Sequence, residues 1–257
     1  MVDSPKLGKR SLAPKEHGAY AQLGLPLATA LIAGRPTVSA LAITVSAVAL
    51  FVAHEPLLVV LGRRGARARA TEGRRALRWL VALTVGASGL SLAALSLPAL
   101  AVALPASLAI VVALIIARDL ERRTWAETLV AWCLSSVSVP VAVASGWTLR
   151  NALGAAIAWA IGLSAATVAV RGILAARKHG AEPSRTTALV LLLPALAAAL
   201  AMLGAIPAWP VLSSLPVVGV ASYIALRPPH PRSLHAVGWS LLTATVITGA
   251  AIVVSVR

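Results

Sequence analysis

The chain has 257 residues, of which 59% are hydrophobic and only 12% are charged, and its formal net charge is +15 at pH 7. A soluble domain carries about 25% charged residues, so this composition excludes an ordinary soluble globular protein. The positive charge is not accompanied by the sequence pattern of a nucleic-acid-binding fold, so we expect no nucleic-acid partner.

Long segments without charge alternate with short clusters of Lys and Arg. From residue 18 onward the charge-free segments are 18–34, 36–54, 79–117, 128–149, 151–170, 186–226 and 233–256. One transmembrane helix needs about 20 mostly apolar residues, so the two longest segments are each predicted to contain two helices. The pattern therefore predicts nine transmembrane helices, near 19–34, 38–61, 77–97, 99–117, 124–146, 151–170, 186–206, 208–226 and 236–256.

The spans are predicted to be helices rather than barrel strands. Only helices and closed barrels satisfy their own backbone polar groups in a bilayer, and barrel strands alternate apolar and polar side chains. Residues 108–117 (LAIVVALIIA) do not alternate. We therefore predict an all-α, polytopic membrane protein with a single membrane domain, residues 1–257. Residues 1–17 form a polar cytoplasmic N-terminus in this prediction, and 18–257 form the helical bundle.

The distribution of basic residues predicts the orientation. With nine spans, 20 of the 23 Lys and Arg residues fall on one side of the membrane, and only Arg35, Arg150 and Arg257 fall on the other. The side rich in Lys and Arg is cytoplasmic, so the N-terminus is predicted inside and the C-terminus outside. All eight acidic residues and all five histidines lie on the same predicted side. A site for polar chemistry is therefore expected to open to the cytoplasm, with membrane lipids as the surrounding partners.

Two pairs of ionisable residues flank the first predicted helical hairpin. Glu16 and His17 enter helix 1, and His54 and Glu55 lie near the exit of helix 2. Adjacent antiparallel helices would bring the two pairs to a similar depth, and an ionisable residue at a membrane span is a functional candidate by default. The four side chains are our candidates for acid–base catalysis. Metal binding and simple pairing with nearby arginines at the interface remain alternatives, and no ligand spacing of a known metal site is present.

The connection after helix 2 is rich in arginine and glycine, reading GRRGARAR at 62–69. Arginine binds phosphate bidentately, and glycine permits close backbone approach. A phosphate-bearing substrate is one interpretation, and an interfacial helix whose arginines contact anionic lipid is the other. Together with basic residues in later connections, the predicted phosphate-binding side chains are Arg63, Arg64, Arg67, Arg118, Arg171 and Lys178.

The motifs PKEHGAY at 14–20 and HEP followed by GRRGAR at 54–67 resemble the YwiC-like family of bacterial integral membrane proteins. That resemblance implies a multi-pass protein of a bacterial cytoplasmic membrane, and it implies no particular activity. A more distant resemblance is to the UbiA-type prenyltransferases, on the stretch RRTWAE at 122–127 and the polar second and sixth connections. It implies a nine-helix bundle with a cytoplasmic cavity that binds a prenyl diphosphate through Mg²⁺. The chain lacks the two Asp-rich motifs that would hold this metal, so no cofactor is assigned.

The sequence is compatible with three functions. The first is a UbiA-like protein that binds or transfers an isoprenoid or lipid phosphate, which predicts an apolar cavity capped by converging arginines. The second is a small-molecule transporter or exporter, although the predicted spans have no ionisable group in their outer half, which argues against a charged proton relay. The third is a non-catalytic membrane protein, which predicts no pocket of ligand size.

Overall fold

The structure is a computed structural model that describes residues 17–94, 124–179, 183–230 and 233–257. Within these ranges every element of regular secondary structure is a helix. In chain order the helices are α1 His17–Ala33, α2 Val38–Val60, α3 Ala66–Ala94, α4 Thr124–Ser136, α5 Ser138–Ala144, α6 Leu149–His179, α7 Pro183–Met202, α8 Trp209–Leu226 and α9 Leu234–Val256.

Six stretches of the described residues are long and apolar enough to cross a membrane. They are α2, α6, α7, α8 and α9, and the segment Glu127–Ala144, which contains most of α4 and all of α5. Large apolar side chains are exposed on these helices, among them Leu196, Met202 and Val254, as expected for surfaces that face lipid. The prediction of an all-helical, multi-pass membrane protein is confirmed. Nine spans stay a prediction, and the helix predicted near 99–117 lies outside the described residues.

The described residues divide into two compact units, and the first contains residues 42–94. Here α2 and α3 form an antiparallel pair. The Ser46 hydroxyl donates to the Ala87 carbonyl at 2.9 Å, and at the other end Val59 packs against Ala76. Alanines on α3, at 68, 76 and 87, form its buried face. Small side chains permit close approach of helices where hydrophobic burial in water does not drive association.

The second unit contains residues 19–41 and the described residues from 124 onward. Its main apolar cluster joins α6, α7, α8 and α9 and is built mostly from Ala, Val and Ile. A Cβ added at Gly154 would lie 2.5 Å from Cζ2 of Trp209, and one added at Gly162 would lie 2.5 Å from Cγ1 of Val217. Because those distances are too short for real carbon atoms, α6 and α8 can approach this closely only with glycine at both positions.

Three segments meet at one end of the second unit. The Arg35 amide donates to the Ser145 carbonyl at 2.8 Å, and the Thr37 hydroxyl donates to the Ala144 carbonyl at 2.8 Å. The C-terminal Arg257 guanidinium donates to the Ile32 carbonyl, also at 2.8 Å. The connections after α1 and after α5, together with the chain terminus, therefore lie at the same end of this unit.

The fifth predicted helix is interrupted. It is continuous in the prediction near 124–146 but breaks at Val137 into α4 and α5. Pro140 has no N–H to donate to the carbonyl four residues earlier, and its ring crowds that carbonyl. The hydroxyls of Ser135, Ser136 and Ser138 also bond to carbonyls of the same stretch, which is a known cause of helix bending.

Two helices extend well beyond their predicted ends. α3 begins at Ala66 rather than near 77, and α6 continues to His179 rather than ending near 170. The prediction ended each helix where the charges begin. Ala and Arg are both strong helix formers, however, so each helix continues past its apolar stretch into the charged segment.

Candidate functional site

The turn between α2 and α3 depends on two glycines in the left-handed region. Gly62 has φ +74° and Gly65 has φ +97°. The Arg63 amide donates to the Leu58 carbonyl at 2.9 Å, and the Gly62 amide donates to the Val59 carbonyl at 3.0 Å. This pattern is a Schellman C-cap, which requires a residue with positive φ at Gly62. Both glycines are therefore explained by the turn that they make, without a phosphate.

Glu55 and Arg64 form an ion pair across that turn. The Arg64 guanidinium donates to the Glu55 carboxylate at 2.5 Å, with the glutamate side chain 9% exposed and the arginine side chain 40% exposed. A buried carboxylate must be paired or hydrogen-bonded. Arg64 therefore stabilises the folded turn by neutralising the buried Glu55. The neighbouring His54 is exposed, so His54 and Glu55 lie in different environments. The sequence did not predict this separation.

The remaining members of the predicted catalytic cluster are only partly described. Glu16 lies outside the described residues, and for His17 the structure describes only its position as the first residue of α1. The four-residue cluster therefore stays a prediction. Among the described residues, no group of three or more His, Cys, Asp or Glu side chains comes together in a way that could hold a metal ion.

The arginines of α3 lie mainly on one face. Arg67, Arg74 and Arg78 are exposed, and their spacing places them on one face, roughly opposite the buried Ala76 and Ala87. Arg69 lies on the other side of the helix, with its side chain near Gly62 and Gly73, and Arg75 is displaced from the face of Arg67 by about a quarter turn. The sequence prediction selected Arg67 but left out Arg74 and Arg78. Arg67, Arg74 and Arg78 are seven and four residues apart, so a predicted helix that began at Ala66 would have placed all three on one face.

Arg171 belongs to the second unit and is paired with Glu127. Its guanidinium donates to the carboxylate, and nearly half of each side chain is exposed. An exposed pair of this kind contributes roughly 0–1 kcal/mol. Because this pair is weak, Arg171 can exchange Glu127 for another anionic partner. Lys178 lies seven residues later on α6, which is two helical turns and the same helix face. Arg118 lies outside the described residues.

The described residues of the second unit form, among other surface features, a groove and a small crevice. The larger has a volume of about 580 Å³ and runs between α8 and α9, from Pro216 to Trp239. The smaller is a crevice of about 10 Å³ at the end of α6, next to Gly172 and Pro183. Neither groove is lined by His54, Glu55 or any predicted phosphate-binding arginine. An apolar cavity capped by converging arginines therefore stays a prediction.

A family model described as YwiC-like protein matches residues 13–143, just over half of the chain. The chain belongs to the YwiC-like family. The match contains both sequence motifs, the whole α2–α3 turn and the arginine face of α3. No curated protein and no solved structure matches the chain. The resemblance to UbiA-type prenyltransferases thus has no support from a related structure and stays a prediction.

Proposed function

We propose that this YwiC-like protein spans a bacterial cytoplasmic membrane nine times, with the N-terminus inside and the C-terminus outside. Its basic cytoplasmic side binds the phosphate of a lipid, of the prenyl or lipid-linked phosphate class. Binding rather than group transfer is the activity that the geometry supports best, because the predicted acid–base residue Glu55 is buried and paired while His54 is exposed.

One observation carries the proposal. Along α3, the charged residues end at Arg78, and the charge-free, mainly apolar segment that follows begins at the exposed Trp79. Arginine and tryptophan accumulate where a helix leaves the hydrocarbon layer for the head groups. This change in composition along α3 supports a position of its arginines at the level of the lipid phosphates.

The contacts of the second unit support the proposed topology. The three segments that meet at one end of that unit carry only Arg35 and Arg257 as charged residues, with Arg150 following in α6. These are the three basic residues that the prediction places outside. The Glu127–Arg171 pair lies 21 residues along α6 from Arg150, about 30 Å at 1.5 Å per residue. That distance matches the thickness of the hydrocarbon core.

A transport function has less support. The buried hydroxyls of Thr29, Ser135 and Thr245 each donate to a carbonyl of their own helix. Because these hydroxyls already donate to carbonyls, they do not by themselves indicate a water-filled route. A transport function would be favoured by a polar path that runs between the two ends of the described spans.

Labelling of single cysteines tests the orientation. The native Cys133 is buried and would be replaced by alanine, and the exposed positions Arg67 and Arg150 would each be changed to cysteine. In intact spheroplasts, a membrane-impermeant maleimide should label Arg150→Cys and should label Arg67→Cys only after permeabilisation. Labelling of Arg67→Cys in intact cells would contradict the proposed topology.

Lipid that co-purifies with the protein tests the ligand class. Native mass spectrometry of the protein extracted in mild detergent should show a retained lipid that bears phosphate. The retained lipid should survive washing that removes neutral lipid. Retention of neutral and phosphate-bearing lipids in proportion to their abundance in the membrane would contradict the proposal.

A further inference from the structure

One face of α3 continues from the charged segment into the apolar segment without rotation. Positions 67, 74, 78, 81, 85 and 92 are separated by seven, four, three, four and seven residues, intervals that stay on one face of a helix with 3.6 residues per turn. The first three are arginines, and the last three are Val81, Val85 and Leu92. All six side chains are exposed, and the exposure of Val85 is 65%. We call this surface the α3 face.

The dimensions of the α3 face match one leaflet of a bilayer. Val81 and Leu92 are 11 residues apart on α3, or about 16 Å along the axis at 1.5 Å per residue. Half of a hydrocarbon core of about 30 Å is about 15 Å. At 1.5 Å per residue, Arg78 lies about 5 Å beyond Val81 and Arg74 about 10 Å beyond it, so Arg78 is level with a head-group layer of about 5–8 Å and Arg74 is at its outer edge.

The arginines of α3 differ in their partners. Arg75 is paired with Glu72 at 3.4 Å, and Arg69 lies on the other side of the helix against Gly62 and Gly73. Arg74 and Arg78 have no ion-pair partner among the residues that the structure describes. They are four residues apart, so their guanidinium groups are neighbours on the helix surface and can both donate to one phosphate.

We propose that Arg74 and Arg78 form a head-group site for an anionic phospholipid of the adjacent leaflet, whose acyl chain lies along Val81, Val85 and Leu92. The inference rests on the proposed function and names the site and the ligand class. The apolar lower half of the α3 face favours a lipid over a soluble phosphate compound. A soluble ligand would gain nothing from three exposed aliphatic side chains below the arginines.

Titration of lipid into the detergent-solubilised protein tests the site. Phosphatidylglycerol should bind more tightly than phosphatidylcholine of the same chain length, as measured by native mass spectrometry. Each arginine near an anionic membrane surface contributes about fivefold to binding. Arg74→Gln and Arg78→Gln should therefore each weaken phosphatidylglycerol binding about fivefold, and the double variant should weaken it about 25-fold. Phosphatidylcholine binding should change little, since its head group has no net charge.

Arg69→Gln is the matched control, because it removes the same charge from the same helix on the opposite side. We expect it to leave phosphatidylglycerol binding within about twofold of the wild type, since its side chain lies away from the α3 face. Equal losses in Arg69→Gln and Arg74→Gln would overturn the site and indicate a response to net charge alone. A preference of the wild type for phosphatidylglycerol that survives in the double variant would overturn the site while leaving the proposed function in place.

A soluble competitor separates the two sources of phosphate. Glycerol phosphate presents the same anionic group without acyl chains and should not displace phosphatidylglycerol at equal concentration. Displacement at equal concentration would overturn the lipid assignment. If wild-type protein binds phosphatidylglycerol and phosphatidylcholine equally, the site is wrong, whereas the proposed function is decided separately by the lipid that co-purifies with the protein.

Discussion

Gly162→Leu should destabilise the protein by roughly 1–3 kcal/mol, the usual cost of inserting atoms into a packed interface. Even a Cβ at this position would lie 2.5 Å from Cγ1 of Val217, on the helix that packs against α6. Valine is stiff about its first side-chain torsion, so α8 would have to move as a whole. The measurement is the midpoint of thermal unfolding in detergent, which should fall by several degrees.

Gly219→Leu is the control for this substitution. Gly219 lies on α8 within the same pair of helices, but it is exposed, and a Cβ added there would have nothing within 4 Å. Leucine at this position should face lipid and change the unfolding free energy by less than roughly 0.5 kcal/mol, as most surface substitutions do. Similar unfolding midpoints for the two variants would show that α6 and α8 do not approach as closely as described.

Arg64→Leu should be more destabilising than Glu55→Leu. Removal of the arginine leaves the Glu55 carboxylate, a residue that is only 7% exposed, without its ion-pair partner, at a cost of about 3–5 kcal/mol if no water reaches it. Removal of the glutamate leaves Arg64, whose side chain is 40% exposed and can be hydrated, so we expect a cost below about 1 kcal/mol. Denaturant unfolding of both variants measures the difference.

The double variant Glu55→Leu/Arg64→Leu completes the cycle. Replacement of both members of a buried pair by apolar residues is often neutral or stabilising, so the double variant should recover much of the stability lost in Arg64→Leu. A loss in the double variant equal to the sum of the two single losses would mean that the two residues are not coupled. In that case the ion pair across the α2–α3 turn does not stabilise this turn.

The helices could be predicted from the sequence more reliably than their ends. The charge-free segment 186–226 was correctly divided into two helices, which are α7 and α8 with Gly204 in the turn between them. Charge marks where a helix leaves the bilayer, but it does not stop a helix. The start of α3 at Ala66 and the end of α6 at His179 were therefore missed, and with them the face that carries Arg74 and Arg78.

The candidate site was predicted as a set of residue types, and its geometry was not predicted. The sequence predicts acid–base catalysis or pairing with a nearby arginine for Glu55 and phosphate binding for Arg64, and it does not predict that these two residues pair with each other. The Schellman turn at Gly62 reverses the backbone and brings them into contact. Burial of one partner and exposure of the other depend on how α2 and α3 pack, which no local pattern specifies.

By itself, the sequence determined the solvent of this protein, its helical class and its membership of the YwiC-like family, because apolar length and charge clusters are properties of short segments. Only the tertiary structure decided which charged side chains are paired and which stay exposed. Glu55, Arg64, Arg69 and Arg74 all carry a formal charge in the sequence, yet Glu55 is buried, Arg64 is its partner, Arg69 lies against Gly62 and Arg74 faces outward. The turn and the packing of the helices determine which polar groups and how much water surround each charged side chain. The energy of a charge depends on those surroundings.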